Sequence, residues 1–190
     1  MSDRKFWAFG AAFAVALLGD QLTKIWARAT LKGAASIEVV ARYFDLRYSE
    51  NPGSAFGLFR DLSYARFLLL GVGLVALYVI FTFLRKLPAG RLRLAAELGL
   101  LAGGAVGNII DRVVYQKVTD FIVWKAPMEG WLCGAIAKVL GFFGSDLMVC
   151  EWPTFNIADA ALVVGVIALL IDARGEDLEP RPAGPPRSGR

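Results

Sequence analysis

The sequence predicts a mainly α, integral membrane fold: four transmembrane helices, with an extracytoplasmic β-containing platform and an interfacial helix on one side. Three observations predict it. The chain is 56% hydrophobic and only 20% charged, with a mean hydropathy of +0.52, a balance unlike that of a soluble domain. Its charges cluster between apolar runs instead of alternating with them. Five short polar motifs fall at or near the ends of those runs: Asp20-Gln-Leu-Thr-Lys24, Asn51-Pro-Gly-Ser-Ala-Phe-Gly57, Gly103-Gly-Ala-Val-Gly-Asn-Ile-Ile-Asp-Arg112, Val118-Thr-Asp-Phe121 and Phe155-Asn-Ile-Ala-Asp159. Ionisable groups in hydrophobic segments are costly and persist mainly where they do a job.

The first span, about 6–26, begins after Arg4 and Lys5 and ends in the Asp20 motif. The outer loop, 27–64, holds the β-branched and aromatic stretch Ile37 to Tyr48 and the turn signal Asn51-Pro-Gly53, which together predict a small strand-containing platform. The second span, 65–84, is twenty residues, about 30 Å as a helix and a match for a bilayer core. The loop from Arg85 to Arg93 carries four basic residues and no acid, so it is expected in the cytoplasm. The third span, 94–114, has Glu97 near its start and Asn108, Asp111 and Arg112 near its end. The fourth, 157–171, is short. A tail, 173–190, rich in Pro, Gly and Arg towards its end, is expected to be disordered, leaving 1–172 as one membrane-embedded domain.

Parity then puts both termini in the cytoplasm. It also brings Asp20, Asn108, Asp111, Asp120, Asn156 and Asp159 to one face of the membrane. Two other parses compete with this one. In one, the first run is a cleaved signal peptide with Ala27-Arg-Ala29 as its site, although Asp20 and Lys24 make an unusually charged approach to it. In the other, Trp131 to Val149 is a fifth span, against which Lys138, Asp146 and three glycines argue. Within that stretch Trp131, Leu132, Ile136, Val139, Leu140 and Phe143 share one helical face, which suits a helix lying on the membrane.

The chain contains no histidine. That removes Ser-His and Cys-His nucleophilic sites and every His-based metal site, and leaves Asp, Glu, Lys, Tyr and two Cys for proton chemistry. The formal charge of +4 sits in short loops, which fits membrane topology rather than nucleic-acid binding. No cofactor or metal motif is present. Taken singly, most motifs have a purely structural reading beside the functional one. Gly99, Gly103 and Gly107 form a small-residue stripe for helix packing. Asp20 and Lys24 are an i,i+4 ion pair, and Asn51 and Gly53 belong to a turn. Asn156 with Asp159 is a capped helix start. Asp120 is different, because its neighbours Val118, Phe121, Ile122 and Trp124 predict a carboxyl with a raised pKa. Asp120 and Asp159 together suggest an aspartic dyad in which one carboxyl keeps a proton while the other activates water. A Ser-Lys site using Lys24 is the alternative chemistry.

At these residues the chain resembles the lipoprotein signal peptidase, or signal peptidase II, family: all five motifs occur in order, from the first span to the fourth. The resemblance implies a bacterial inner-membrane aspartic endopeptidase with its active site near the extracytoplasmic face. Its substrates would be diacylglyceryl-modified prolipoproteins, cut just before the lipid-modified cysteine. It implies Asp120 and Asp159 as the catalytic pair, with Asp20, Lys24, Asn51, Gly53, Asn108, Asp111, Arg112 and Asn156 in support. Membrane lipids are the other expected partner, and a monomer the expected state.

One departure from the family pattern is the long segment between the two aspartates, where 126–152 looks inserted. It contains Cys133 and Cys150, on the oxidising side of the membrane under this topology. A disulfide there would staple the insertion, worth about 3 kcal/mol by loop entropy; two free thiols are the alternative. Two other functional classes compete. A proton-conducting transporter would spread carboxylates through the membrane depth, whereas here they cluster at one end. A non-catalytic assembly factor would leave the separately placed carboxylates unexplained.

Overall fold

A computed structural model describes residues 3–53, 64–126, 133–135, 138 and 150–178. In chain order the elements are α1 (Asp3–Thr30), β1 (Ile37–Val40), β2 (Phe44–Asn51), α2 (Ala65–Lys86), α3 (Leu92–Val114), β3 (Val118–Trp124) and α4 (Ile157–Leu178). Among the described residues, α1, α2 and α3 are long and apolar enough to cross a membrane. The last helix, at 22 residues, is also largely apolar but carries charged residues, Asp159, Asp172 and Arg174 among them.

Glycine spacing explains why α3 lies at the centre, packed on α1, α2 and α4. On the α1 side, a Cβ added at Gly103 would lie 2.7 Å from the Phe13 carbonyl oxygen and 2.8 Å from the Ala16 Cβ. Gly99 meets the Phe9 carbonyl and Gly107 meets Asp20 still more closely. On the next face, a Cβ at Gly104 would fall 2.6 Å from the Ala158 carbonyl oxygen of α4. Two adjacent small-residue faces therefore let α3 touch two helices backbone to backbone. The second helix is peripheral: Phe67, Val72, Val75, Tyr78 and Phe81 are exposed, an apolar surface of the kind that faces lipid. Arg66 sits in its first turn with the guanidinium 4.6 Å from the Phe67 ring centroid.

Polar ties fasten the end of the bundle that carries the basic loop. Lys5 is buried, and its ammonium donates to the carbonyls of Arg85, at 3.2 Å, and Leu87, closing the C-terminus of α2. Arg93 joins α3 to α4 there, 3.1 Å from Glu97 and 3.0 Å from Asp172.

At the opposite end the three strands form an antiparallel sheet in the order β1-β2-β3. The platform expected from Ile37 to Tyr48 accounts for β1 and most of β2, joined by a turn in which Arg42 takes a positive φ of 71°. The strand β3 pairs Ser49 with Asp120 and Asn51 with Val118. The chain later returns antiparallel to β3 through bridges Lys125 to Glu151 and Ile122 to Phe155, and this return delivers Asn156 beside Asp120.

Boundaries differ from the sequence expectation most at two places. The first helix runs past Trp26 to Thr30 with Ala27 fully buried; a cleavage site there would be locked inside a helix. The last helix continues to Leu178, so the tail expected from 173 begins as helix: apolar character ends near 171, but helix-compatible residues continue. Of the 126–152 insertion, only 126, 133–135, 138 and 150–152 are described, with 133–135 and 138 helical. The expected interfacial helix, and the alternative fifth span, otherwise lie outside the described residues, as does the tail beyond 178. Cys133 and Cys150 are disulfide-bonded, with Cα atoms 5.0 Å apart.

Candidate active site

The site begins on α1. Asp20, Lys24 and Arg28 recur every four residues and therefore line one face of the helix, the face turned to α3. Lys24 is fully buried. Its ammonium contacts Asp20 Oδ2 at 2.9 Å, Asn108 Oδ1 at 3.0 Å and Asp111 Oδ2 at 3.4 Å. Three donors thus meet three acceptors, the condition under which a buried ammonium is tolerable. The other oxygen of Asp20 accepts the backbone N–H of Ala158 at 2.9 Å, an otherwise orphan donor in the first turn of α4.

From α3, Asn108 faces the same space. Because its Oδ1 accepts from Lys24, its Nδ2 must point the other way, and it donates to Asp159 Oδ1 at 2.8 Å. One turn on, Asp111 accepts the backbone N–H of Thr119 at 2.8 Å and lies 3.4 Å from the Arg28 guanidinium. Arg112 donates to the Asn108 carbonyl at 3.2 Å. It lies within electrostatic reach of Asp159, Asp120 and Asp111.

The two central carboxylates come from different elements and meet at Asn156, which is fully buried. Asn156 Nδ2 donates to Asp120 Oδ1 at 2.7 Å and to Asn108 Oδ1 at 3.2 Å. Its Oδ1 accepts the Asp159 N–H at 2.9 Å, while its own N–H donates to Asp159 Oδ2 at 3.2 Å. The last two bonds are a reciprocal helix cap, so the structural reading of this motif holds together with a role in the site. Asn51 Nδ2 donates to the second oxygen of Asp120 at 3.3 Å. Gly53 holds Asn51 by donating its N–H to Asn51 Oδ1 at 3.0 Å. It does so at φ 125°, a conformation open to glycine and strained for other residues.

The charges nearly cancel. Asp20, Asp111, Asp120 and Asp159 are four carboxylates; Lys24, Arg28 and Arg112 are three cations. Lys24 and Arg28 neutralise Asp20 and Asp111, which leaves two carboxyls facing one guanidinium. Neutrality then requires one of the two to keep a proton. Asp120, on β3, is pushed up to about 7, first by burial and then by the charge of Asp159.

All ten residues singled out in the sequence around the two aspartates enter this constellation directly or, for Gly53 and Arg112, through a neighbour. Sequence reasoning missed Arg28, which donates to Thr119 Oγ1 at 2.9 Å, and Thr119 itself. It also missed Gln21, which donates to the Gly107 carbonyl at 3.2 Å. The available signal for Arg28 was its place one turn beyond Lys24 on the Asp20 face.

A family model described as signal peptidase (SPase) II matches residues 12–174. The lipoprotein signal peptidase of Geobacter metallireducens is 36% identical over 166 residues, covering 86% of this chain and 88% of that protein. The lipoprotein signal peptidase of Geobacter sulfurreducens is 34% identical over 176 residues, covering 92% and 96%. A solved structure of a bacterial membrane enzyme superposes with a TM-score of 0.69 at 26% identity, covering 92% of this chain and 93% of the other. A second superposes at 0.66 with 29% identity, covering 86% and 90%.

Proposed function

The chain belongs to the signal peptidase II family, and from that premise we propose that Asp120 and Asp159 form the dyad with which it hydrolyses its substrate. It is a membrane-embedded protease, and its reaction removes signal peptides from prolipoproteins. The observation that carries the dyad is Asn156, bonded at once to both carboxyls.

Asp159 is the base and Asp120 the acid. Asp159 accepts hydrogen bonds from Asn108 and from the Asn156 backbone at a helix N-terminus, donors that favour a negative charge. Asp120 keeps the shared proton, in line with a pKa near 7. A water between them gives its proton to Asp159 and attacks the scissile carbonyl carbon. Asp120 hydrogen-bonds to the carbonyl oxygen and stabilises the tetrahedral intermediate. The proton on Asp159 then passes to the departing nitrogen, which frees the signal peptide and returns the dyad to its starting state.

The substrate is a prolipoprotein carrying a diacylglyceryl group on the cysteine that becomes residue +1. Its acyl chains stay in the outer leaflet of the inner membrane and bring the scissile bond to the sheet end of the bundle; that binding energy orients the bond. The last helix is the fourth span, with both termini cytoplasmic, and the protein acts as a monomer. Cleavage of a diacylglyceryl-modified prolipoprotein by the purified protein tests this reading. Activity that disappears in both Asp120→Asn and Asp159→Asn, with folding intact, supports the dyad; activity surviving both substitutions reopens Ser-Lys chemistry.

A further inference from the structure

The helix α3 and the strand β3 are joined by three residues, Tyr115 to Lys117, and this turn fixes how far Asp120 stands from Asn108 and Asp111. It is not a relaxed turn. Gln116 takes a φ of 64°, the left-handed region that non-glycine residues rarely occupy. Such a conformation persists where the surroundings hold it.

Arg28 supplies that hold from outside the five motifs. One guanidinium nitrogen lies 3.4 Å from Asp111 Oδ1, before the turn, and 2.9 Å from Thr119 Oγ1, after it. Its guanidinium carbon sits 4.2 Å from the centroid of the Tyr115 ring, at the turn itself. The loop is closed by Asp111, whose other oxygen accepts the Thr119 N–H at 2.8 Å. Thr119 precedes Asp120, and alternation along the strand points the two side chains to opposite faces. Arg28 grips one face while the carboxyl projects from the other. A planar guanidinium can do both at once: it donates in a fixed fork and stacks on a ring, as an ammonium cannot.

We propose that Arg28 is a positioning residue for Asp120, clamping the α3–β3 turn on both sides and so setting where the strand presents its carboxyl. The proposal rests on the protease reading above. Arg28 bonds to neither Asp120 nor Asp159, so its effect passes through Thr119 and Asp111. Asp120 is faced by Asp159 from α4, Lys24 from α1, Arg112 from α3, and the amides of Asn51 and Asn156. Releasing the turn moves Asp120 relative to all of these together.

The test compares wild type, Arg28→Gln, Arg28→Lys and Asp120→Asn as purified full-length proteins cleaving a diacylglyceryl-modified prolipoprotein. A misplacement of this kind is expected to lower kcat about 10- to 100-fold with KM little changed. The alkaline limb of the pH–rate profile should shift to lower pH as Asp120 leaves the field of Asp159. The lysine variant, which keeps the charge but not the fork, should fall between. It carries the same readouts should the glutamine variant not fold. Wild-type kcat and pH profile in the Arg28 variants, with Asp120→Asn inactive, would overturn the positioning role and leave the protease reading standing. A folded wild type that cleaves no prolipoprotein would overturn both.

Discussion

Asp20 Oδ1 accepts the backbone N–H of Ala158 at 2.9 Å, so a carboxylate of the first helix completes the first turn of the last. The residue beyond Ala158 is Asp159. An i,i+4 ion pair that looked local in the sequence therefore locates a site element far along the chain.

Replacing Asp20 by Ala removes the acceptor for Ala158 and leaves Lys24 with Asp111 as its remaining carboxylate. Breaking a buried pair in this way should cost about 3 kcal/mol or more. Asp20→Asn keeps an oxygen for the Ala158 N–H and should retain part of that stability. Thermal melts of the two variants in detergent would show the order; equal melting temperatures would contradict it.

In the proposed mechanism Asp120→Asn and Asp159→Asn each remove one half of the proton relay, so kcat should fall about 10³-fold or more in either variant. The double variant should lose little beyond the worse single, because the two groups act as a unit. Single-turnover cleavage rates measure this.

In the proposed mechanism the proton on Asp120 gives activity a direction in pH. Its carboxyl is raised to about 7, so the neutral form needed as acid is present below that value and vanishes as pH rises through it. The cleavage rate should therefore decline on the alkaline side near neutrality. The sign for stability is the same. Between the ordinary carboxylate value and about 7 the unfolded chain has lost this proton while the folded chain holds it, so this group's contribution falls as pH rises across that window. Asp120→Asn should flatten the corresponding part of the melting-temperature profile.

Glycine substitutions should separate the packed faces of the bundle from the open one. Gly104→Ala places a methyl 2.6 Å from the Ala158 carbonyl oxygen, whereas Gly71→Ala meets nothing within 4 Å. The first should destabilise by about 1–3 kcal/mol through overpacking and lower kcat by displacing the start of α4. The second should leave both melting temperature and rate near wild type.

What the sequence made legible follows from how far its signals reach. Asp120, Asn108 and Asp111 stood out because each is polar within apolar surroundings, a cost visible in a few neighbouring letters. The strand β3 was missed although Val118 to Trp124 is rich in β-branched and aromatic residues. Its partner strand β2 lies some seventy residues earlier in the chain, so the pairing leaves no local trace. Arg28 was missed for the same reason: its value lies in contacts to Asp111 and Thr119, 83 and 91 residues away. The return of the chain along β3 at Glu151 and Phe155 is likewise a long-range pairing that no local pattern announces.

The cap formed by Asn156 and Asp159 also bears on how the enzyme comes into being. Asp159 sits on the last described helix, whose first turn is built from the same bonds that hold its carboxyl. Until that helix docks, the first three helices and the sheet hold Asp120 with no second carboxylate opposite it. In the proposed mechanism, a copy whose last helix has not yet docked is thus a protease without a cutting edge.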